Sequence, residues 1–219
     1  MTRAEMIDIS PRGVITSPEI IRDLGIERTS RSELLRYKPE LSWFTHDPGG
    51  IHGVSHTTRN LVLGELEVNA REVLLNESMN REAIRLFSIT HDLKRLSDEE
   101  DIAHGLRSAH WVNQNLPRHI PENTRHLVAF LNFWHVPPDS LAPIMLPELE
   151  VAKNIDGADR VRTGDLDPTY MRGYIARTYL PQIASELFAA TKNYREIPPE
   201  GQFEFVLEKA INLGYLIDR

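Results

Sequence analysis

Residues 84 to 92 read IRLFSITHD, an apolar helical run that ends in His91 and Asp92. Adjacent histidine and aspartate side chains on a buried helix place an imidazole nitrogen beside a carboxylate oxygen, and such a pair is costly to bury without a partner. A divalent cation binds both groups. The dipeptide therefore predicts a metal site in the interior of a helical protein.

Helical patterns continue on both sides of this run. Apolar residues recur at three- and four-residue spacing, and prolines, glycines and capping residues mark the segment ends. Asp101 is the predicted N-cap of the helix that follows the dipeptide. We predict helices over residues 17–24, 30–37, 55–75, 80–94, 101–112, 121–135 and 146–162, followed by helical segments over 168–193 and 201–213. The pattern predicts an all-α fold.

The length of 219 residues suits one compact domain with a substantial core. There is no internal repeat, and the Pro/Gly-rich break at 197–201 is too short to separate two domains. We therefore predict a single domain over residues 1–219. Its motif-bearing core spans about residues 51–162, with flanking helices at 16–37 and 168–213.

Composition limits the classes of function. The formal net charge of −7 argues against a broad nucleic-acid surface, although it leaves room for a local basic pocket. The chain has no cysteine, which excludes disulfides, thiolate zinc sites and cysteine nucleophiles, so the nine histidines are the available borderline metal ligands. Residues 1–8 contain no long apolar stretch. We therefore expect no signal peptide, no membrane anchor and a cytoplasmic location.

The predicted ligands lie on different helices. His56 heads the apolar face of the helix at 55–75, His91 and Asp92 close the next helix, and Asp159 lies on the apolar face of a later one. Helices of a bundle can each direct one or two ligands into a shared interior. Two histidines and two aspartates suit a divalent ion, such as a transition metal or Mg²⁺. We therefore expect the metal site inside the bundle.

Four sequence elements resemble one known family. Residues 51–59 read IHGVSHTTR and are similar to an HGxxHxxR opening, residues 101–109 read DIAHGLRSA and are similar to a DxxHGxRAA element, and residues 158–160 read ADR. With the dipeptide at 91–92, they resemble the H…HD…D signature of the HD-domain metal-dependent phosphohydrolases. The elements cover about half of the chain. Arg162-Thr163 departs from the leucine-aspartate of many members, and the residues before 51 and after 170 match no element.

The resemblance implies a single HD-type helical domain and a type of reaction, the hydrolysis of a phosphate ester. We expect a phosphomonoesterase or phosphodiesterase that acts on a nucleotide or another small phosphorylated metabolite, with one or two ions of Mn, Fe, Co, Ni, Mg or Zn. It implies His56, His91, Asp92 and Asp159 as ligands, with His104 and His135 as candidates for a second ion. We assign catalytic roles to Asp92, as a proton acceptor through a free oxygen, and to His104, toward the phosphate or leaving group.

Cations near the predicted ligands can neutralise a phosphate. The predicted substrate-binding residues are Arg59, Lys94, Arg95, Arg107 and His52, and Arg160 belongs to the same group of flanking cations. Asp156 shares a face with Asp159, and we expect it to orient a ligand rather than to be one.

The remaining histidines have simpler interpretations. His46-Asp47 is a second His-Asp pair, but Pro48 follows it and biases it away from a helix, so we expect it in a loop outside the site. We expect His110, His119 and His126 on the surface, because their neighbours are polar.

Two other functions stay open. A diiron HD-fold oxygenase would need six protein ligands, which His104 and His135 would complete. A non-catalytic nucleotide-binding HD module would keep the fold without turnover. The sequence leaves open the substrate, the metal and the oligomeric state, a homo-oligomer included.

Overall fold

The computed structural model describes Glu19 and residues 25–219. Among these residues every regular element is a helix, and the one β contact is an isolated bridge between Ser30 and Ile217. The α-helices are α1 (Arg31–Leu34), α2 (Val54–Leu75), α3 (Arg81–Thr90), α4 (His104–Asn115), α5 (Glu122–Trp134), α6 (Pro147–Ala158), α7 (Tyr174–Thr191) and α8 (Pro199–Asn212). Short 3-10 helices span Leu35–Tyr37, Leu41–Trp43, Asp139–Leu141, Asp159–Thr163, Pro168–Tyr170 and Tyr194–Glu196. The predicted all-α fold is confirmed.

Helix α2 is the centre of the domain. It packs against α3, α6, α7 and α8, and its residues 54–71 are all buried. A helix enclosed on every side cannot leave its polar residues in water, so they need internal partners. Glu65 accepts hydrogen bonds from Arg85 at 2.6 and 2.8 Å, and Glu67 accepts from Arg71 at 3.1 Å and Asn154 at 2.8 Å. This central position places His56, in the first turn of α2, inside the protein.

The start of α2 depends on Gly53. A Cβ atom at this position would lie 2.0 Å from the carbonyl oxygen of Pro48, which is closer than any side chain allows. The same carbonyl accepts a hydrogen bond from the Val54 amide at 2.8 Å. The loop at residues 45–53 therefore folds tightly onto the N-terminus of α2, and His52 lies four residues before His56.

Several predicted boundaries need correction. Helix α3 ends at Thr90 with His91 as its C-cap, so Asp92 lies in the following turn rather than inside a helix that continues to Lys94. Asp101 is not an N-cap: Ala103 precedes α4, while the Asp101 carboxylate accepts from the Leu96 amide at 2.9 Å and pairs with Arg107. The helix predicted over 146–162 is α6 followed by the 3-10 helix Asp159–Thr163.

The predicted flanking helices differ in outcome. Ser30 is the N-cap of α1 and forms a capping box with Glu33, which agrees with the start of the helix predicted over 30–37. Helices α7 and α8 lie in the predicted C-terminal segments. The helix predicted over 17–24 lies outside the described residues, apart from Glu19.

In the described part of the chain, no helix has the length and apolar character needed to span a membrane.

Candidate metal centre

Side chains from five segments meet at the inner end of a cavity of about 640 Å³. They come from the first turn of α2, the turn after α3, the first residue of α4, the residue after α5 and the last turns of α6. The residues at this centre are His56, His91, Asp92, His104, His135 and Asp156. They form two groups that Asp92 joins, and His52 makes a third possible ligand group with His56 and Asp92.

The first group contains His56, His91 and Asp156. The Nε2 atoms of the two histidines are 3.0 Å apart. Asp156 Oδ1 lies 3.5 Å from the first of these nitrogens and 3.7 Å from the second. Both histidines are fully buried, whereas the Asp156 side chain is 33% exposed. Asp156 therefore forms the side of this group that faces the cavity.

The second group contains His104 and His135. Their Nε2 atoms are 2.9 Å apart, and both rings are buried. Gly105 permits this contact, because a Cβ atom there would lie 2.5 Å from the carbonyl oxygen of Asn132 on α5. The His-Gly sequence at 104–105 thus brings α4 close enough to α5 for the two imidazoles to meet.

Asp92 joins the two groups. Its Oδ2 atom lies 3.3 Å from His56 Nε2 and 3.7 Å from His91 Nε2. Its Oδ1 atom lies 3.2 Å from His104 Nε2. One buried carboxylate therefore presents a different oxygen to each group of histidines.

In each of the four histidine rings, a hydrogen-bond acceptor fixes the Nδ1 edge, which lies opposite the inward Nε2 edge. Nδ1 of His91 donates to the Ser88 carbonyl at 3.1 Å, and Nδ1 of His135 donates to the Asn132 carbonyl at 2.7 Å. In the same way, Nδ1 of His104 faces the Asp101 carbonyl at 2.5 Å, and Nδ1 of His56 faces Asp159 Oδ2 at 2.7 Å. Since each Nδ1–H group donates to one of these acceptors, an imidazole in its neutral form directs an unprotonated Nε2 inward, as metal-binding histidines do.

The donor set fits a divalent ion. Two unprotonated nitrogens repel each other at short range unless a proton or a cation lies between them. Two ligands at right angles, each ~2.1 Å from one ion, are separated by ~3 Å, which matches the observed 3.0 Å for His56–His91 and 2.9 Å for His104–His135. The buried histidines and aspartates can therefore hold a metal ion.

The local electrostatics keep three of the residues, His104, His135 and Asp92, in their metal-binding forms. Burial is the main cause that lowers the pKa of His135 to about 3, and burial also lowers the pKa of His104. Burial raises the pKa of Asp92, but the charges and hydrogen bonds of nearby histidines outweigh it and hold that pKa well below its usual value. These residues are therefore neutral imidazoles and an ionised carboxylate at neutral pH.

The pKa of His56 reflects the negative charge around its ring. Burial and the positive charge of Arg162 lower its pKa, yet hydrogen bonds to Asp156, Asp159 and Asp92 outweigh them and raise it to about 9. Three carboxylates around one imidazole favour a positive charge at this point. A bound cation would satisfy the same carboxylates.

The structure places Asp159 and Asp156 differently from the sequence prediction. Asp159 is fully buried, and both its oxygens accept from Arg59, at 2.6 and 2.8 Å, while Oδ2 also accepts from Nδ1 of His56. It lies on the far side of the His56 ring and is not part of any group that can hold an ion. Asp156, expected only to orient a ligand, faces the inward nitrogens instead. The structure therefore does not bring Asp159 together with the inward nitrogens of the other predicted ligands.

Only part of the predicted substrate-binding set reaches the cavity. Arg95 and His52 line it. Arg59 is buried against Asp159, Lys94 donates to the Trp43 carbonyl at 2.5 Å, and Arg107 donates to the Lys94 carbonyl at 2.9 Å. The last two side chains line a separate apolar surface depression. The structure therefore does not bring these three cations to the cavity, because each is held by a partner elsewhere.

The predicted catalytic roles also change. Neither Asp92 oxygen is free, since Oδ2 lies 2.8 Å from His52 Nδ1 and Oδ1 lies 3.2 Å from His104 Nε2. Asp92 therefore lacks the free oxygen that its role as proton acceptor required. Both His104 nitrogens face protein atoms, Asp101 and His135, which fits a ligand better than a group that acts on substrate.

The structure adds Arg162 to the cavity wall. Its side chain is 6% exposed, its Nη2 lies 3.1 Å from His52 Nδ1, and its Nη1 lies 3.6 Å from Asp159 Oδ2 without a hydrogen-bond partner. The half-exposed Arg160 also lines the cavity and pairs with Asp165. The only sequence signal for Arg162 was its departure from the motif at 162–163.

The other histidines lie outside the centre, as predicted. His46 is in the loop before α2, 3.8 Å from Asp98. His110, His119 and His126 are exposed.

Comparison of the chain with protein-family models, with curated proteins and with solved structures finds no match.

The Gly105 contact gives a first prediction. Gly105→Ala places a methyl group against the Asn132 carbonyl, so α4 must move away from α5. We expect the variant to lose ~1–3 kcal/mol of unfolding free energy from overpacking and to bind the ion between His104 and His135 more weakly. Urea denaturation and metal titration measure the two effects. Gly157→Ala is the control, because no atom lies near the Cβ position at Gly157; equal losses in both variants would contradict the role of the Gly105 contact.

Proposed function

We propose that this chain is an HD-type helical domain that holds two divalent ions and hydrolyses a phosphate ester of a small metabolite. The observation that carries the proposal is the Asp92 carboxylate, whose two oxygens face two separate pairs of inward imidazole nitrogens. A shared carboxylate between two ligand groups is the arrangement that a two-ion hydrolytic site needs. The order of the sequence motifs supports the same assignment.

Each group would hold one ion. His56, His91 and Asp156 would bind the first, and His104 and His135 the second, with one Asp92 oxygen for each. Bound divalent ions supply an activated water and a charge that stabilises phosphoryl oxygens. The Nδ1 acceptors keep the ligand rings in one orientation, so the chain holds its donors ready for such ions.

Residues in the cavity wall would bind the substrate. Arg95 and Arg162 are both largely buried, and their guanidinium groups suit a phosphate, since they offer several donors in a fixed plane. His52 lies between Arg162 and Asp92, where its Nδ1 atom can donate to the Asp92 carboxylate or, in the other tautomer, accept from the Arg162 guanidinium. The cavity volume of about 640 Å³ lies in the range of small-molecule sites.

The cavity mouth limits the substrate further. Residues 98–101 are Asp, Glu, Glu and Asp, and all four line the cavity together with Asp165. Asp101 pairs with Arg107 and Asp165 pairs with Arg160, while the exposed carboxylates of Asp98, Glu99 and Glu100 add negative charge that repels polyanions. We therefore favour a small ester that carries few phosphate groups over a nucleic-acid backbone.

The direct test is a substrate screen. Protein stripped with a chelator and reloaded with Mn²⁺, Co²⁺, Ni²⁺ or Mg²⁺ should release phosphate from at least one nucleotide or sugar phosphate. The stripped protein should be inactive and should recover activity with metal. Binding without turnover across a broad panel would contradict hydrolysis and favour a nucleotide-binding module.

One observation keeps a second candidate in consideration. The six side chains at the centre (His56, His91, Asp92, His104, His135 and Asp156) are the number that a diiron oxygenase of this fold requires. Iron-dependent O₂ consumption, together with no hydrolysis in the phosphoester panel, would favour that function.

A further inference from the structure

Arg59 lies behind the His56 ring, outside the cavity, and makes a two-point contact with Asp159. It is 1% exposed, with Nε 2.6 Å from Asp159 Oδ1 and Nη2 2.8 Å from Oδ2. Such a bidentate pair fixes the plane of a carboxylate as well as its position. The Oδ2 atom fixed in this way is the acceptor of the His56 Nδ1 proton at 2.7 Å. A chain of three side chains thus runs from Arg59 to the inward nitrogen of His56.

Two aromatic rings from the C-terminal part of the chain hold the guanidinium. The Arg59 Cζ atom lies 5.4 Å from the centre of the Phe188 ring, on α7, and 5.7 Å from the centre of the Tyr194 ring. An arginine over an aromatic face is attracted by the ring electrons, and more strongly where water is excluded. These residues lie beyond the sequence motifs, so the motifs alone do not complete the centre.

We infer that Arg59 is a positioning residue for the ion held by His56, and that Phe188 and Tyr194 hold Arg59 in place. The inference rests on the metal centre of the proposed function. Without Arg59, the Asp159 carboxylate has no partner that fixes its plane, and no fixed acceptor selects the Nδ1–H form of His56. The ion on the other side, between His104 and His135, has its own acceptors and does not depend on this chain of contacts.

The protein contains a matched control for this contact. Arg85 is 8% exposed and binds Glu65 through the same atoms, with Nε to Oε1 at 2.6 Å and Nη2 to Oε2 at 2.8 Å. Its Cζ atom also lies 5.5 Å from an aromatic ring centre, that of Tyr37. Neither Arg85 nor Glu65 belongs to a group that can hold a metal. Loss of this pair removes a buried ion pair of the same kind without touching the centre.

The experiment compares Arg59→Gln, Arg59→Lys and Arg85→Gln in the full chain. Co²⁺ binding is measured by calorimetric titration and by the visible absorption spectrum, with circular dichroism as the check of folding. We expect Arg59→Gln to bind one of two Co²⁺ ions ~10–100-fold more weakly, with an altered spectrum. Arg59→Lys should recover part of the affinity, and Arg85→Gln should bind both ions as the wild type does, although both glutamine variants are destabilised.

The outcomes separate the inference from the proposed function. Folded Arg59→Gln with wild-type affinity and spectrum would overturn the inference alone, as would an equal loss of affinity in Arg85→Gln. Failure of the wild-type chain to bind Co²⁺ would overturn the proposed function and the inference with it. If Arg59→Gln does not fold, Phe188→Leu decides: weaker binding of one ion supports the inference, and unchanged binding of both overturns it.

Discussion

Replacing Asp92 with alanine should leave a folded helical protein that binds neither divalent ion. The two Asp92 oxygens face different histidine pairs, so one substitution removes a ligand from both groups. Metal content after dialysis, measured by elemental analysis, should fall from two ions to near zero. The variant should also lose the thermal stabilisation that added metal gives the wild type, which amounts to ~2.7 kcal/mol at a metal concentration 100 times the dissociation constant.

The chain offers a matched control for this prediction. His46-Asp47 is a second His-Asp pair, but it lies in the loop before α2, where Asp47 Oδ1 accepts from the Gly49 amide at 2.8 Å. His46→Ala should therefore keep both ions, whereas His91→Ala should lose at least the first. Full metal occupancy in Asp92→Ala would show that the centre described here is not where the chain binds metal.

The sequence predicted the elements of the centre that depend on local pattern. The apolar run before His91, the three-four spacing around His56 and the His-Gly pair at 104–105 all mark helix faces or close contacts, and these are local properties. They were enough to predict an all-α fold, and with the family resemblance, which implied His104 and His135, they predicted five of these six residues at the centre. His52, predicted to line the substrate pocket, does so.

The choice between Asp156 and Asp159 could not be made from sequence. The two residues are three positions apart, so helical periodicity places both on one face. What separates them is the change to a 3-10 helix at Asp159 and its pairing with Arg59, which is 100 positions away in the chain. A contact between such distant residues leaves no trace in local spacing, so the sequence could not show that Asp159 pairs with Arg59 while Asp156 faces the cavity.

The cations illustrate the same limit. Lys94, Arg95 and Arg107 all flank predicted ligands, yet only Arg95 lines the cavity. Proximity in sequence does not determine the direction of a long side chain, because a nearby carbonyl can bind it. The Trp43 carbonyl holds Lys94 on the other side of the turn that contains Asp92.

Arg162→Gln should lower kcat/KM for the best substrate roughly 30–1000-fold, because the variant loses ~2–4 kcal/mol of transition-state binding free energy. Arg162 lines the cavity with a largely buried guanidinium whose Nη1 has no hydrogen-bond partner, so it can donate to a phosphoryl oxygen in a site with little water. Metal content should stay at two ions, because Arg162 is not a ligand. Lys94→Gln is the control and should change kcat/KM by less than about twofold, since the Lys94 ammonium binds Trp43 away from the cavity. If the Lys94 variant lost as much activity as the Arg162 variant, or if Arg162→Gln lost its metal, then Arg162 would not be the substrate contact that its place in the cavity wall indicates.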